Sequence, residues 1–318
     1  MNDIVIGIDI GATNTKYGFV SSDGDMLLEK SVATSKNKNV DVFIRELYNI
    51  IHPDLTHGKY ILKGIGIGAP NGNYYTGSVE FAPNLKWKGI VPLVSLIEKK
   101  FAVPAVLTND ANAAAVGELL YGHGRGMQHF IMITLGTGLG SGIIVNGKLV
   151  YGHDGFAGEL GHTTAIPNGR KCGCGKRGCL ETYVSAPGII KTVFELLASE
   201  TDESDLRNIS FNALDAKMIS EAAIQGDPIA LKAFDFTGKL LGMKLADAIM
   251  HTSPEAVFLF GGLATAGKLI FNPVRKYMEE FLLPVFRNKI KLMPSALQNK
   301  NIAVLGTAAL IWNELKKN

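Results

Sequence analysis

One pattern occurs twice in this 318-residue chain, and it restricts the fold more than any other feature. Residues 8–20 read IDIGATNTKYGFV, and residues 133–145 read ITLGTGLGSGIIV. Each stretch is an apolar triplet, a glycine-led polar turn and an apolar return strand. A supersecondary unit repeated at two distant places asks each copy to bury its strands in a sheet of its own. The length points the same way, because single hydrophobic cores stop growing at roughly 250–300 residues. Two similar α/β halves are expected.

The rest of the chain fits that expectation. IVIGIDI (4–10), YGFV (17–20) and DMLLEKSV (25–32) read as a β-meander. Val40, Phe43, Ile44, Leu47, Ile50 and Ile51 keep the i, i+3, i+4 spacing of a helix. ILKGIGIG (61–68) is a strand, followed by a Pro/Asn/Gly loop, a helix near 90–101 and the strand VPAVLT (103–108). The pattern restarts at 129 with HFIMITL, then IIVN and GKLVYG. Helical segments dominate 186–250, AVFLFGGLATAG (256–267) is strand, double glycine and helix start, and NIAVLGTAALIWNEL (301–315) reads as a short strand and a helix.

Composition excludes several classes. The net charge is +3, with 47% apolar and 19% charged residues, as in a globular protein with a sizeable core. No Lys/Arg block stands out, so nucleic acid and anionic membranes are poor candidate partners. MNDIVIGIDIG has neither a basic n-region nor a cleavage site, and no apolar run reaches the ~18–20 residues of a membrane span. A cytoplasmic enzyme is expected, in which clustered cysteines seldom form structural disulfides.

The glycine turns suggest phosphate, because glycine lets backbone N–H groups approach an anion closely. In GATNTK, Thr13 and Asn14 add side-chain donors and Lys16 a positive charge, while Asp9 can hold Mg²⁺. Thr137 and Gly138 can supply a second jaw. Neither turn is a Walker loop, and glycine hairpins are common. After the strand VPAVLT, NDANAAA delivers Asn109 and Asp110 to a helix start. One of them can be a plain N-cap. An Asp at that place is also suited to take a proton from a hydroxyl attacking a γ-phosphate.

All three cysteines, Cys172, Cys174 and Cys179, fall in KCGCGKRGCLE, and GELGH precedes them with Glu159 and His162. His162 and the thiols make a Cys₃His set, a known tetrahedral Zn²⁺ environment. The spacing is not that of a zinc finger, and a redox pair or inert buried thiols are the alternatives. On the metal reading, four protein ligands leave no open position. The ion then staples a loop that presents Glu159, His162 and Glu181.

DIGATNTK, APNLKW, NDANAAA, GTGLGSG, GELGH and CGCGKRGCLE occur in the order and approximate spacing of the ROK family (repressors, open reading frames and sugar kinases), which the chain resembles over essentially its whole length. The resemblance implies an actin-like (ribonuclease H-like) two-lobed α/β sugar-kinase fold with a duplicated βββαβαβα core. The expected lobes are a smaller one at 1–116, on which a helix at about 306–318 packs back, and a larger one at 117–305. It implies Asp110 as catalytic base, with Asp9, Gly11, Thr13, Asn14, Lys16, Thr137, Gly138 and Gly262 around ATP. It implies sugar contacts from Gly72, Asn84, Asn109, Asp110, Glu159, His162 and Glu181, and structural Zn²⁺ on His162, Cys172, Cys174 and Cys179, beside Mg²⁺ with ATP. A homodimer or homotetramer is implied too. Ala12 departs from the family, where glycine is common.

Within that family, repressors carry a DNA-binding helix-turn-helix before the first strand, for which the strand starting at Ile4 leaves no room. Fructokinase-type members usually change one zinc cysteine and the spacing. The resemblance therefore implies an ATP-dependent hexose kinase most similar to bacterial glucokinases, acting on the 6-hydroxyl of glucose. N-acetylmannosamine or N-acetylglucosamine kinases are the alternative, as is a non-catalytic sugar-binding regulator. An N-acetyl group would need room near Asn73, Tyr74 and Tyr75, which either crowd that space, line it, or sit on a hairpin away from the sugar.

Overall fold

The computed structural model describes residues 2–34, 39–57, 60–82, 85–298 and 301–316. The chain forms two compact units: Met1–Met127 with Gly147–Ala157 and Ala296–Asn318, and Gln128–Asn146 with Gly158–Ser295.

The first unit opens with the antiparallel meander β1 (Asn2–Ile10), β2 (Asn14–Val20) and β3 (Met26–Ala33). Helix α1 (Val40–His57) leads to β4 (Tyr60–Gly68), parallel to β1. Short strands β5 (Gly72–Asn73), β6 (Ser78–Glu80) and β7 (Ile90–Val91) form a small separate sheet. Pro92 separates β7 from α2 (Leu93–Phe101), so that helix starts later than its sequence pattern suggests. β8 (Ala105–Thr108) joins the main sheet beside β4, giving the order β3-β2-β1-β4-β8, and α3 (Asp110–Tyr121) follows. β1 carries apolar residues on both faces because both are covered. Ile4, Ile6, Ile8 and Ile10 pack with Phe43, Ile44, Leu47 and Ile51 of α1, and Val5 points to the other side.

The second unit repeats the plan. β9 (Phe130–Leu135) pairs antiparallel with β10 (Leu139–Val145), and β11 (Lys148–Leu149) follows in the segment counted with the first unit. The main helices are α4 (Ala186–Ser199), α5 (Ala216–Ile224), α6 (Pro228–Thr252) and α7 (Lys268–Phe281). β12 (Ala256–Phe260) and β13 (Lys291–Pro294) add parallel strands in the order β10-β9-β12-β13, which reproduces β2-β1-β4-β8. The expected α/β fold with a duplicated core is what the chain adopts. β13 escapes the sequence pattern because four residues ending in proline show no periodicity of their own. Most of GTGLGSG is strand rather than turn, since β10 already begins at Leu139.

The chain ends in α8 (Ile302–Leu315), which belongs to the first unit. The short strand expected at its start is absent. Asn301 caps the helix by accepting from the Val304 N–H at 3.4 Å, so Ile302, Val304 and Leu305 are buried as helix residues. Glycines seat this helix. A Cβ on Gly7 would collide with the Val304 carbonyl, one on Gly66 with the Thr307 carbonyl, and one on Gly306 with the Ala113 carbonyl of α3. Backbone thus lies directly on backbone, which only glycine permits. No helix among the described residues is long and apolar enough to cross a membrane.

Candidate active site

In the first unit, β1 delivers Asp9 opposite Lys16 of β2 and beside Gly68 of β4. Asp9 shares the strand face of Val5 and Gly7. A Cβ on Gly68 would stand 3.9 Å from Asp9 Oδ1 and equally far from the Ala113 Cβ, so the carboxylate lies by the first turn of α3. That turn starts with Asn109 as N-cap, its Oδ1 accepting the Asn112 N–H at 2.7 Å. The plain capping reading therefore holds for Asn109. Asp110 comes next, with Oδ1 accepting the Ala111 N–H at 2.9 Å.

Both carboxyls are harder to ionise than usual. Burial raises Asp9 to about 6, the charge of Asp110 adds to the rise, and Lys16 opposes it. Desolvation by the surrounding protein also raises Asp110, against the Ala111 N–H, although the residue itself is open to solvent on one side. Two desolvated carboxylates beside one lysine suit a divalent cation with oxygen ligands. The GATNTK turn is closed by the Gly11 N–H donating to the Asn14 carbonyl at 3.0 Å, and Thr13, Asn14 and Lys16 are exposed. Ala12 does not require positive φ, so alanine is accommodated without strain there. Gly72 is close-packed, since its Cβ would stand 2.6 Å from the Thr108 carbonyl just before Asn109. Asn84 lies outside the described residues.

In the second unit, Gly136, Thr137 and Gly138 form the turn after β9, and Thr137 is exposed. Gly261, at φ +102, tucks under the Leu135 carbonyl, whereas Gly262 has open space around it. Glu181 sits in a 3₁₀ turn, Leu180–Thr182, and its Oε2 accepts from the Leu139 N–H at 3.3 Å. A Cβ on Gly138 would stand 2.5 Å from that same oxygen. Gly138 thus makes room for Glu181, a reason for glycine that phosphate binding does not supply.

The other oxygen of Glu181 reaches the cysteine loop. Its Oε1 is 3.3 Å from Cys172 Sγ and 3.8 Å from His162 Nδ1. The ligand atoms of His162, Cys172, Cys174 and Cys179 all lie within 4.8 Å of one another. Cys174 and Cys179 have their sulfurs 3.7 Å apart, and Cys172 Sγ is 3.6 Å from His162 Nδ1. A tetrahedron with Zn–S bonds of about 2.3 Å has S···S edges of about 3.8 Å, and slightly shorter S···N edges. The four side chains therefore fit zinc, with Nδ1 as the nitrogen ligand. Nε2 of His162 is 3.9 Å from Glu159 Oε2.

The ROK family matches residues 5–314. The chain belongs to the ROK family. Among ROK proteins it is similar to the glucokinase of Halalkalibacterium halodurans, with 34% identity over 96% of this chain and 94% of that one. It is also similar to the xylose repressor of Bacillus spizizenii, with 30% identity over 96% of this chain and 76% of the repressor. Among solved structures, a ROK family glucokinase from Streptomyces griseus in complex with glucose and AMPPNP superimposes with a TM-score of 0.80. It has 33% identity, covering 96% of this chain and 98% of that one.

Two features of this ROK chain were open or missed in its sequence. Asn73, Tyr74 and Tyr75 serve to anchor the 147–157 segment within the first unit. Tyr74 stacks on Tyr151 at 4.0 Å, Tyr75 donates to the Gly152 carbonyl, and Asn73 Nδ2 donates to the Asp154 carbonyl at 2.8 Å. Arg170 carries no motif signal, yet its guanidinium bonds to two side chains, Thr192 and Glu195, and to the carbonyls of Thr182 and Gly188. Its place two residues before the first cysteine is the signal the sequence offers.

Proposed function

We propose that this ROK protein transfers the γ-phosphoryl group of ATP to the 6-hydroxyl of a hexose, with glucose as the preferred substrate. The observation that supports it best is Asp110, a carboxyl of raised basicity at the solvent-open head of α3, with a second carboxyl of raised pKa, the half-buried Asp9, by the same helix turn. The similarity to a glucokinase solved with glucose and an ATP analogue supports the same assignment. In this reading the 6-hydroxyl gives its proton to the Asp110 carboxylate as its oxygen bonds to the γ-phosphorus and the bond to the ADP oxygen breaks. Gly11, Thr13, Asn14 and Lys16 hold phosphate oxygens, joined by Thr137, Gly138 and Gly262. Asp9 would hold Mg²⁺, which neutralises phosphate charge when bound.

Sugar hydroxyls are held by Asn84, Asn109, Glu159, His162 and Glu181, with Gly72 shaping the approach. His162 is suited to bind zinc through Nδ1 and leave Nε2 for the sugar, oriented by Glu159. Zinc, with four protein ligands, would serve structure. Asn73, Tyr74 and Tyr75 are engaged elsewhere, so nothing they do favours an acetylated sugar. Assaying ADP release with glucose, N-acetylmannosamine, N-acetylglucosamine and fructose tests the reading. A tenfold higher kcat/KM for an acetylated sugar, equivalent to ~1.4 kcal/mol, would replace glucose. Sugar binding without turnover would replace the enzyme with a sugar-binding regulator, the role suggested by the repressor relatives.

A further inference from the structure

We infer that Arg170 is a positioning residue, holding the turn that carries Glu181 and closes the cysteine loop; the inference rests on the reading of Glu181 as a sugar ligand. A guanidinium has five N–H donors in a rigid planar fork. Here the fork makes five hydrogen bonds. Nε donates to Glu195 Oε1 at 2.8 Å and Nη2 to Glu195 Oε2 at 2.5 Å. Nη2 also donates to Thr192 Oγ1 at 2.9 Å. Nη1 donates to the carbonyls of Thr182 and Gly188, at 2.8 and 3.0 Å. The plane lies over the Tyr183 ring, 4.4 Å from its centroid.

The backbone of Arg170 joins the same structure. Its N–H donates to the Tyr183 hydroxyl at 2.8 Å, and its carbonyl accepts from the Gly178 N–H at 2.8 Å. Gly169 must be glycine for this, because a Cβ there would occupy the place of the Tyr183 hydroxyl. These bonds converge on the residues flanking Glu181. Thr182 and Tyr183 follow it, Gly188 and Thr192 belong to α4, and Gly178 precedes Cys179. Arg170 therefore fastens the Glu181 turn to the first turns of α4 with a side chain only 10% exposed. Glu181 then meets Leu139 and Cys172 from a fixed backbone. The arrangement needs the fork. A lysine would keep the charge but cannot reach two carbonyls, a hydroxyl and both carboxylate oxygens at once.

Arg170→Ala and Arg170→Lys are compared with the wild type by amide hydrogen exchange and by steady-state kinetics. Glu195→Ala, at a side chain 60% exposed, keeps the test alive if Arg170→Ala does not fold, because it removes two of the five bonds from outside. The expected result is at least tenfold faster exchange at Leu180–Val184 in both Arg170 variants, with β9 and β12 unchanged. Glucose KM should rise at least tenfold, with kcat and ATP KM within threefold of wild type. Glu195→Ala should move the same readouts in the same direction by a smaller factor. Wild-type exchange at 180–184 would overturn the inference, and so would faster exchange spread evenly over the second unit. Equal rises in the glucose and ATP constants, or full rescue by lysine, would overturn it as well. If the wild type turns over no hexose, the kinase reading fails alone, and the exchange result still decides whether Arg170 holds the turn.

Discussion

Asp9→Asn should make the protein more stable and inactive, and the size of the gain follows from the structure. Folding raises the Asp9 carboxyl from 3.8 to about 6, mainly through burial. A carboxyl whose folded value is raised favours folding when protonated. The stability it allows is fully present below about pH 3.8 and is lost as pH rises through about 6. Above that range the ionised Asp9 costs about 2 pH units at 1.36 kcal/mol each, or about 3 kcal/mol. Asparagine keeps the shape without the charge, and it also relieves the neighbouring Asp110. The variant should therefore be more stable than wild type by about 3 kcal/mol at pH 8 and by about half that at pH 5. Urea unfolding of nucleotide-free protein in magnesium-free buffer measures this. Trp87 and Trp312 are the only tryptophans and both lie in the first unit, so their fluorescence reports on the unit that contains Asp9. An unchanged or lower stability at pH 8, or a gain identical at pH 5 and pH 8, would refute the reasoning. Activity supplied with Mg-ATP should fall in the same variant, since the carboxylate that destabilises the empty protein is the one proposed to meet the cation.

Asp110→Asn should lower kcat by ~10²–10⁴ while glucose still binds by calorimetry, because the amide keeps the shape but takes no proton. Since desolvation raises Asp110, the acid limb of kcat/KM should lie above the ordinary carboxylate range and rise with pH as the base is freed. Elemental analysis should find one zinc per chain in the wild type and none in Cys174→Ser, whose Tm should be lower, as metal binding by thiolates is coupled to folding. Gly66→Ala should destabilise the first unit by more than the ~1–3 kcal/mol of ordinary overpacking, because the added carbon meets the Thr307 backbone and no side chain can yield. A stability within 1 kcal/mol of wild type, on the scale of a tolerated core swap, would argue against the glycine seat.

The sequence alone determined whatever depends on neighbours along the chain. The strands of β1, β4, β9 and β12 are legible because their apolar runs are bounded by glycine turns. Asn109 announces a cap within three residues of the N–H group it satisfies. The metal cluster is legible because all four candidate ligands fall between His162 and Cys179, so a few tight turns bring them together. Tertiary structure decided what depends on distant partners. The glycines of IVIGIDIG and ILKGIGIG look like weak points of strands until α8, more than two hundred residues away, lays its backbone on them. Gly138 looks like a phosphate turn, and only folding brings Glu181 into the space that its missing side chain leaves. The acidity of Asp9 is likewise set by burial and by Asp110, neither of which is local to β1. Local patterns fix local hydrogen bonding and periodicity. Close approach, desolvation and charge coupling act through space, and a sequence records them only as residues whose reason is elsewhere in the chain.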